Sequence, residues 1–189
     1  GPPFIVSAGL TDRKQPAVAL GGIPDRYLIV WSQDFSGDGS DWDLWGRFVP
    51  VDGPTGSEES FSIDNGADSQ LEAELAYAPG ARRFLAVWSD LPSAGLPSIR
   101  ARLVKDDGTG FAGTTFTISS EGVKATAPDV AFDQNRDRFL VVWEQGFPDS
   151  DIYGAFVTTD GAIVAPGPFA IAAYPGVEEA PSLDRCLGV

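Results

Sequence analysis

The chain has 189 residues, of which 43% are hydrophobic and 11% aromatic, and this is enough apolar material for the core of one folded domain. Its net charge of −14, from 13 basic and 27 acidic residues, argues against nucleic acid as a partner, because phosphate binding needs clustered lysine and arginine. No apolar run approaches the roughly 18–20 residues that a membrane span requires, so no membrane span is predicted.

One apolar strand that ends in tryptophan recurs three times, at residues 25–31, 82–88 and 137–143. At constant spacings around each copy lie a short preceding strand, a third strand, an Asp-Gly turn, and a fourth strand with Phe and Ile two residues apart. No segment shows a helical apolar stripe. The sequence therefore predicts three four-stranded units, approximately 16–63, 73–118 and 128–171.

The predicted strands of each unit follow the same order along the chain. The first strands are at 16–19, 73–76 and 128–131, and the third strands are at 44–49, 99–104 and 152–157. The tryptophan strand is apolar at nearly every position, which indicates burial on both faces. We therefore expect its tryptophans to be core residues and not platforms for a ligand.

The two chain ends resemble fragments of further units. Residues 4–7 match a fourth strand, and residues 181–189 match the start of another unit whose tryptophan is missing. Three arrangements remain open: the end strands join into a fourth sheet that closes a ring, the chain is a slice of a longer array, or the unfinished sheets pair with another subunit. Each would cover an exposed sheet edge.

Four-stranded units that stack face to face are typical of β-propeller blades, so the predicted fold is an all-β propeller in one domain, 1–189. Residues 139–143, 151–154 and 160–161 also resemble the propeller-type repeats of large secreted bacterial proteins. This resemblance covers nearly the whole chain, although 98–101 departs from it, and it implies a secreted, extracellular protein. A β-trefoil, which also has three four-stranded repeats, is the alternative fold.

The composition removes most catalytic chemistries. The chain has no histidine and a single cysteine, Cys186, which excludes histidine-based catalysis and sites for zinc, copper or haem. Paired carboxylates for glycoside hydrolysis remain, but among 27 acidic residues the sequence selects no pair. We therefore predict no catalytic residues and no enzyme.

The loop after the first tryptophan strand is the longest of the three and is rich in acidic residues. Its oxygen donors alternate and are followed by Gly39, as in the first half of a calcium-binding loop, but the bidentate Glu of that motif is missing. The alternative is a polar hairpin tip in which Asp and Ser cap turns. The candidate calcium ligands are Asp34, Ser36, Asp38, Asp41 and Asp43.

Trp42 and Trp45 occur only in the first unit, which makes them a candidate platform for a sugar or a protein, with simple packing as the alternative. The predicted function is a non-catalytic binding module of a secreted protein that recognises glycan or protein through its inter-strand loops, with calcium as the only candidate cofactor. A structural or self-assembling subunit, completed by strand pairing between chains, is the alternative. A glycoside hydrolase is the most distant one.

Overall fold

The computed structural model describes residues 3–22 and 25–184, which form twelve strands and contain no helix, and therefore no helix able to span a membrane. The strands are β1 (Asp12–Gly21), β2 (Arg26–Asp34), β3 (Trp42–Pro50), β4 (Ser60–Asp64), β5 (Ser69–Ala78), β6 (Arg83–Leu91), β7 (Ser98–Lys105), β8 (Phe116–Thr117), β9 (Ala125–Asp133), β10 (Arg138–Gln145), β11 (Asp151–Thr158) and β12 (Phe169–Ala172).

These strands form three separate four-stranded antiparallel sheets, each made of four consecutive strands in chain order. Sheet 1 contains β1–β4, sheet 2 contains β5–β8 and sheet 3 contains β9–β12. The tryptophan strand is the second strand of each sheet and pairs on both sides. The prediction of an all-β chain with four-stranded units is confirmed.

The third and fourth strands of each sheet are separated by the predicted Asp-Gly turn. The glycines of these turns, Gly53, Gly108 and Gly161, have φ values of 103°, 77° and 92°. A side chain with a Cβ rarely adopts this left-handed conformation, so glycine is the residue that the turn favours. The turns place the fourth strand of each sheet on the side away from β1, β5 and β9, which we call the inner strands.

Sheet 2 is covered on both faces, and its strand β6 shows this residue by residue. Phe84, Ala86 and Trp88 belong to a hydrophobic core shared with sheet 1. The alternate residues Leu85 and Val87 belong to a second core, shared with sheet 3. Successive side chains of a strand point to opposite faces, so a continuous apolar run is buried completely only when both faces are covered. This confirms that the repeated tryptophans are core residues.

The outer sheets each leave one apolar face open. The isoleucine of the fourth strand is 0% exposed in sheet 1 (Ile63) and 1% exposed in sheet 2 (Ile118), but 50% exposed in sheet 3 (Ile171). On the opposite side of the molecule, Val18 and Leu20 of β1 are 60% and 50% exposed. Each sheet is thus covered where another sheet of the described chain follows or precedes it, and open where none does.

The prediction of strands at the chain ends is not met within the described residues. Residues 4–7 adopt no strand, and the carbonyl of Val6 accepts a hydrogen bond of 2.6 Å from Nη1 of Arg47. Residues 181–184 also form no strand, and residues 185–189 lie outside the described part of the chain. The reason is that neither segment has a partner strand beside it, and an unpaired extended segment lacks the ladder that defines a strand.

Candidate functional site

A groove runs along the inner strands and contains two carboxylates. Two cavities of about 300 Å³ and 460 Å³ share Glu74 of β5, Asp129 of β9 and Leu183 near the chain end. The first also reaches Ala19 and Leu20 of β1, so all three sheets border it. We call this feature the inner-strand groove.

Glu74 is held in an environment that favours its protonated form. Burial raises its pKa to about 7 from the usual 4.5, and the negative charge of Asp129 contributes further in the same direction. A carboxylic acid with a pKa near 7 is able to donate a proton at neutral pH, which an ordinary glutamate does not do.

Asp129 is oriented by backbone groups from two segments. Its Oδ1 accepts a hydrogen bond of 2.6 Å from the amide of Val130, and its Oδ2 accepts one from the amide of Leu183. The groove therefore combines a carboxyl group of raised pKa, Glu74, with a carboxyl group that two backbone amides hold in place, Asp129, on neighbouring strands.

The two carboxylates occupy equivalent positions just after a β-bulge in their strands. In the pairing of β5 with β6, the register shifts between Leu71 and Glu74. In the pairing of β9 with β10, it shifts between Val142 and Glu144 of β10, which lie opposite Asp129 and Thr126 of β9. At these bulges Glu72 and Ala127 have positive φ values of 55° and 51°. Bulges bend a strand and re-aim the side chains that follow, which is why they are common beside active sites.

Sequence analysis did not select this pair, although the signal was present. The repeat aligns the segments 73–76 and 128–131, and both carry an acidic residue at the second position, whereas the first unit has Ala17 there. An acidic residue at an inner-strand position stands out against the apolar residues around it. The alignment does not show that β5 and β9 lie side by side and border one groove.

The predicted acidic loop of the first unit is bonded mainly to itself. Asp34 is buried and accepts hydrogen bonds from Oγ of Ser36 at 2.6 Å and from the amides of Gly37 and Gly39 at 2.9 and 2.7 Å. Asp38 accepts hydrogen bonds from the hydroxyls of Ser36 and Ser40 at 2.7 and 2.6 Å, and these bonds lower its pKa to about 2. This bonding is that of turns capped by Asp and Ser.

Asp41 and Asp43 follow the loop tip and are half-buried. Burial, together with the nearby charge of Asp41, raises the pKa of Asp43. Within residues 3–22 and 25–184, no group of three or more acidic or cysteine side chains is arranged to hold a metal ion. Calcium binding by this loop stays a prediction.

The two tryptophans of the first unit lie in different surroundings. Trp42 donates a hydrogen bond from Nε1 to the carbonyl of Gly39 at 3.1 Å, and Nζ of Lys14 lies 3.6 Å from the centre of its ring. Trp45 packs against Phe35, with ring centres 5.3 Å apart. One face of Trp42 is thus covered by a lysine, and a role for either ring in ligand binding stays a prediction.

No protein-family model and no curated protein sequence matches the chain. Among solved structures, it is similar to an N-acetylgalactosamine deacetylase from F. plautii, crystallised in complex with blood group B trisaccharide, with a TM-score of 0.56 and 13% identity. It is also similar to an endo-arabinase from Bacteroides thetaiotaomicron VPI-5482, with a TM-score of 0.50 and 14% identity. The matches cover 87% and 84% of this chain but only 55% and 61% of those proteins.

These similarities show a shared fold, and they correct the functional prediction. These two proteins are glycan-processing enzymes, so the fold does not mark a non-catalytic protein. The prediction of a non-catalytic binding module, with a self-assembling subunit as its alternative, is wrong on this finding. The prediction that the chain is no enzyme rested on the absence of histidine and on finding no acidic pair in the sequence, and the inner-strand groove contains such a pair.

Proposed function

We propose that the chain is a β-propeller portion of a secreted carbohydrate-processing enzyme, and that Glu74 and Asp129 are its acid and base. The propeller is supported by three four-stranded meanders that pack face to face, with their inner strands adjacent. Three separate sheets of this kind favour the propeller over the β-trefoil alternative. The shared fold supports carbohydrate as the substrate class, whereas the reaction is argued from the residues of the groove.

The observation that carries the proposal is the placement of two carboxyl groups in one open groove, one of them with a raised pKa. Glu74 has a pKa of about 7, and the carboxyl group of Asp129 is held in place by two amide hydrogen bonds. Glycoside hydrolysis uses two carboxyl groups on either side of the scissile bond, one of which has a raised pKa and acts as the acid. No histidine or metal is needed for this chemistry.

In the proposed reaction a glycosidic bond lies in the groove between the two groups. Glu74 donates its proton to the leaving glycosidic oxygen as the bond between that oxygen and the anomeric carbon breaks. Asp129 accepts a proton from the water that attacks the anomeric carbon, so that one water is consumed for each bond cleaved. The half-buried position of Glu74 keeps its proton available at neutral pH.

The test is release of reducing ends from linear arabinan, galactan, xylan and β-glucan. We expect hydrolysis of at least one polymer, with a rate that falls above about pH 7 because Glu74 then loses its proton. Glu74→Gln is expected to lower kcat by about 100-fold or more on the polymer. The loss should be much smaller on a 2,4-dinitrophenyl glycoside, whose leaving group needs no proton. Asp129→Asn should lower the rate on both substrates.

Glu121→Gln is the matched control, because Glu121 is exposed and lies outside the groove. Its activity and its melting temperature should equal those of the parent chain. The proposal is wrong if no polymer is cleaved, or if the Glu74→Gln variant, folded by circular dichroism, hydrolyses the polymer at the parental rate.

A further inference from the structure

Another cavity, which shares no lining residue with the inner-strand groove, lies between the outer parts of sheets 1 and 2. Its volume is about 590 Å³, within the range of small-molecule sites. Aromatic rings from both sheets line it, together with one arginine and three acidic residues: Arg26, Phe48, Glu58, Glu59, Phe61, Asp107 and Phe111. We call it the Arg26 cavity.

The repeat provides an internal comparison for Arg26. Arg83 holds the same position in sheet 2, and its Nη1 donates a hydrogen bond of 2.8 Å to the carbonyl of Thr159 in sheet 3, just before the Asp-Gly turn. Arg26 makes no corresponding bond to sheet 2. Among the described residues its side chain forms no hydrogen bond or ion pair; its Nε is buried without a partner, and its guanidinium lies 4.6 Å from the ring centre of Phe48.

The Asp-Gly turn of the following sheet also has different neighbours at the two interfaces. At the interface of sheets 2 and 3, Gly161 lies so close to Phe116 that an added Cβ would be 3.2 Å from the ring. At the interface of sheets 1 and 2, the nearest side chains to Gly108 are Arg26 and Phe48 instead, at 3.4 and 3.6 Å from an added Cβ. Phe61, the counterpart of Phe116, is not among the nearest contacts of Gly108 and lines the cavity instead.

Two carboxylates of the cavity, Glu58 and Asp107, have lowered pKa values and already accept hydrogen bonds, which limits the charge of a ligand. Glu58 accepts hydrogen bonds from the amide and hydroxyl of Thr55 at 2.6 and 2.8 Å and forms an ion pair with Arg47 at 3.3 Å. The first of these contacts is the main reason that its pKa falls to about 2. Asp107 accepts two hydrogen bonds from Thr109, at 2.9 and 2.7 Å, and its pKa is lowered too. A negatively charged ligand would be repelled by both carboxylates.

A neutral, hydroxylated ring fits this combination of groups. A guanidinium offers several donors in a planar fork to hydroxyl and ring oxygens, and an ionised carboxylate keeps lone pairs that accept from hydroxyls. A phenyl ring packs against the apolar face of such a ligand. We propose that the Arg26 cavity binds one neutral sugar unit, with Arg26 donating to its oxygens and Phe61 packing against its ring. This inference rests on the proposed function only in taking carbohydrate as the ligand class.

The test is a titration followed by amide shifts in ¹⁵N NMR spectra, with L-arabinose, D-galactose and N-acetyl-D-galactosamine as probes. At least one probe should shift the amides of residues 57–61 and 107–111. D-Galacturonate is the charged counterpart of galactose, with a carboxylate in place of the terminal hydroxymethyl group, and should bind more weakly than galactose. Arg26→Lys should weaken binding about tenfold, because a point charge does not reproduce the fork.

Arg26→Leu and Arg83→Leu are matched variants at equivalent positions of sheets 1 and 2. Arg26→Leu should abolish the shifts and leave the melting temperature unchanged or higher, because no protein hydrogen bond is lost. Arg83→Leu should keep the shifts and lower the melting temperature, since it loses the bond to Thr159. Glu74→Gln should bind as the parent does, which separates this inference from the proposed catalysis. Absence of shifts with every neutral probe, tighter binding of galacturonate, or unchanged binding by Arg26→Leu would each overturn it.

Discussion

The three core tryptophans differ in a single hydrogen bond. Nε1 of Trp31 donates to Oε1 of Gln33 at 3.0 Å, and Nε1 of Trp143 donates to Oε1 of Gln145 at 3.1 Å. In sheet 2 the corresponding residue is Asp90, and Nε1 of Trp88 is buried without a partner. Asp90 interacts instead with Gln70 and Arg100. A buried donor without an acceptor costs free energy, so the tryptophan position is less well satisfied in sheet 2 than in sheets 1 and 3.

This difference gives a residue-scale prediction. Trp143→Phe and Trp88→Phe remove the same volume from fully buried sites, but only the first breaks a hydrogen bond and leaves Gln145 unpaired. We expect Trp143→Phe to lower the free energy of unfolding by about 1–2 kcal/mol more than Trp88→Phe does. Urea unfolding of both variants and the parent measures the difference. Equal losses would mean that the Trp143–Gln145 bond contributes nothing to stability.

At the scale of strands, a repeated hydrogen bond connects the inner strands β5 and β9, and the segment at Ala180, to the preceding sheet. Gln15, Glu72, Ala127 and Ala180 all have φ between 51° and 55°. The amide of Glu72 donates to Gln15 at 3.2 Å, that of Ala127 to Glu72 at 2.9 Å, and that of Ala180 to Glu144 at 2.8 Å. The positive φ of Glu72, Ala127 and Ala180 directs the N–H of each residue away from its own sheet, and a side-chain oxygen of the neighbouring unit accepts its hydrogen bond.

The Oε2 of Glu72 accepts a second hydrogen bond, of 2.7 Å, from Oγ of Ser89. Glu72→Ala should lower the free energy of unfolding by about 1–2 kcal/mol, since the amide of Ala127 is left with only Ser89 as a partner, at 3.1 Å. Hydrogen exchange at the amide of Ala127 should accelerate by more than the global loss requires. Glu121→Ala, at an exposed position, is the control and should change neither quantity.

At the scale of the whole molecule, the repeat made the strands predictable and left the sites less so. Constant spacings around Trp31, Trp88 and Trp143 located all three units, because strand length and turn chemistry are local properties. The Glu74–Asp129 pair depends on two inner strands meeting across an interface, which no local pattern encodes. The loop at Asp34 shows a different limit: alternating oxygen donors are typical both of a cation site and of capped turns, so the sequence pattern alone does not distinguish the two.

The fourth-strand isoleucines show how completely each sheet is covered, and they give the last prediction. Ile63 and Ile118 are fully buried, each in a core shared with the following sheet, whereas Ile171 is 50% exposed. Replacement by alanine should therefore cost about 2–5 kcal/mol at Ile63 and Ile118 but less than about 1 kcal/mol at Ile171. Urea unfolding at several protein concentrations measures the three losses. A cost at Ile171 equal to that at Ile118 would contradict the open face seen in the described chain, because a loss of that size requires the side chain to be buried in solution.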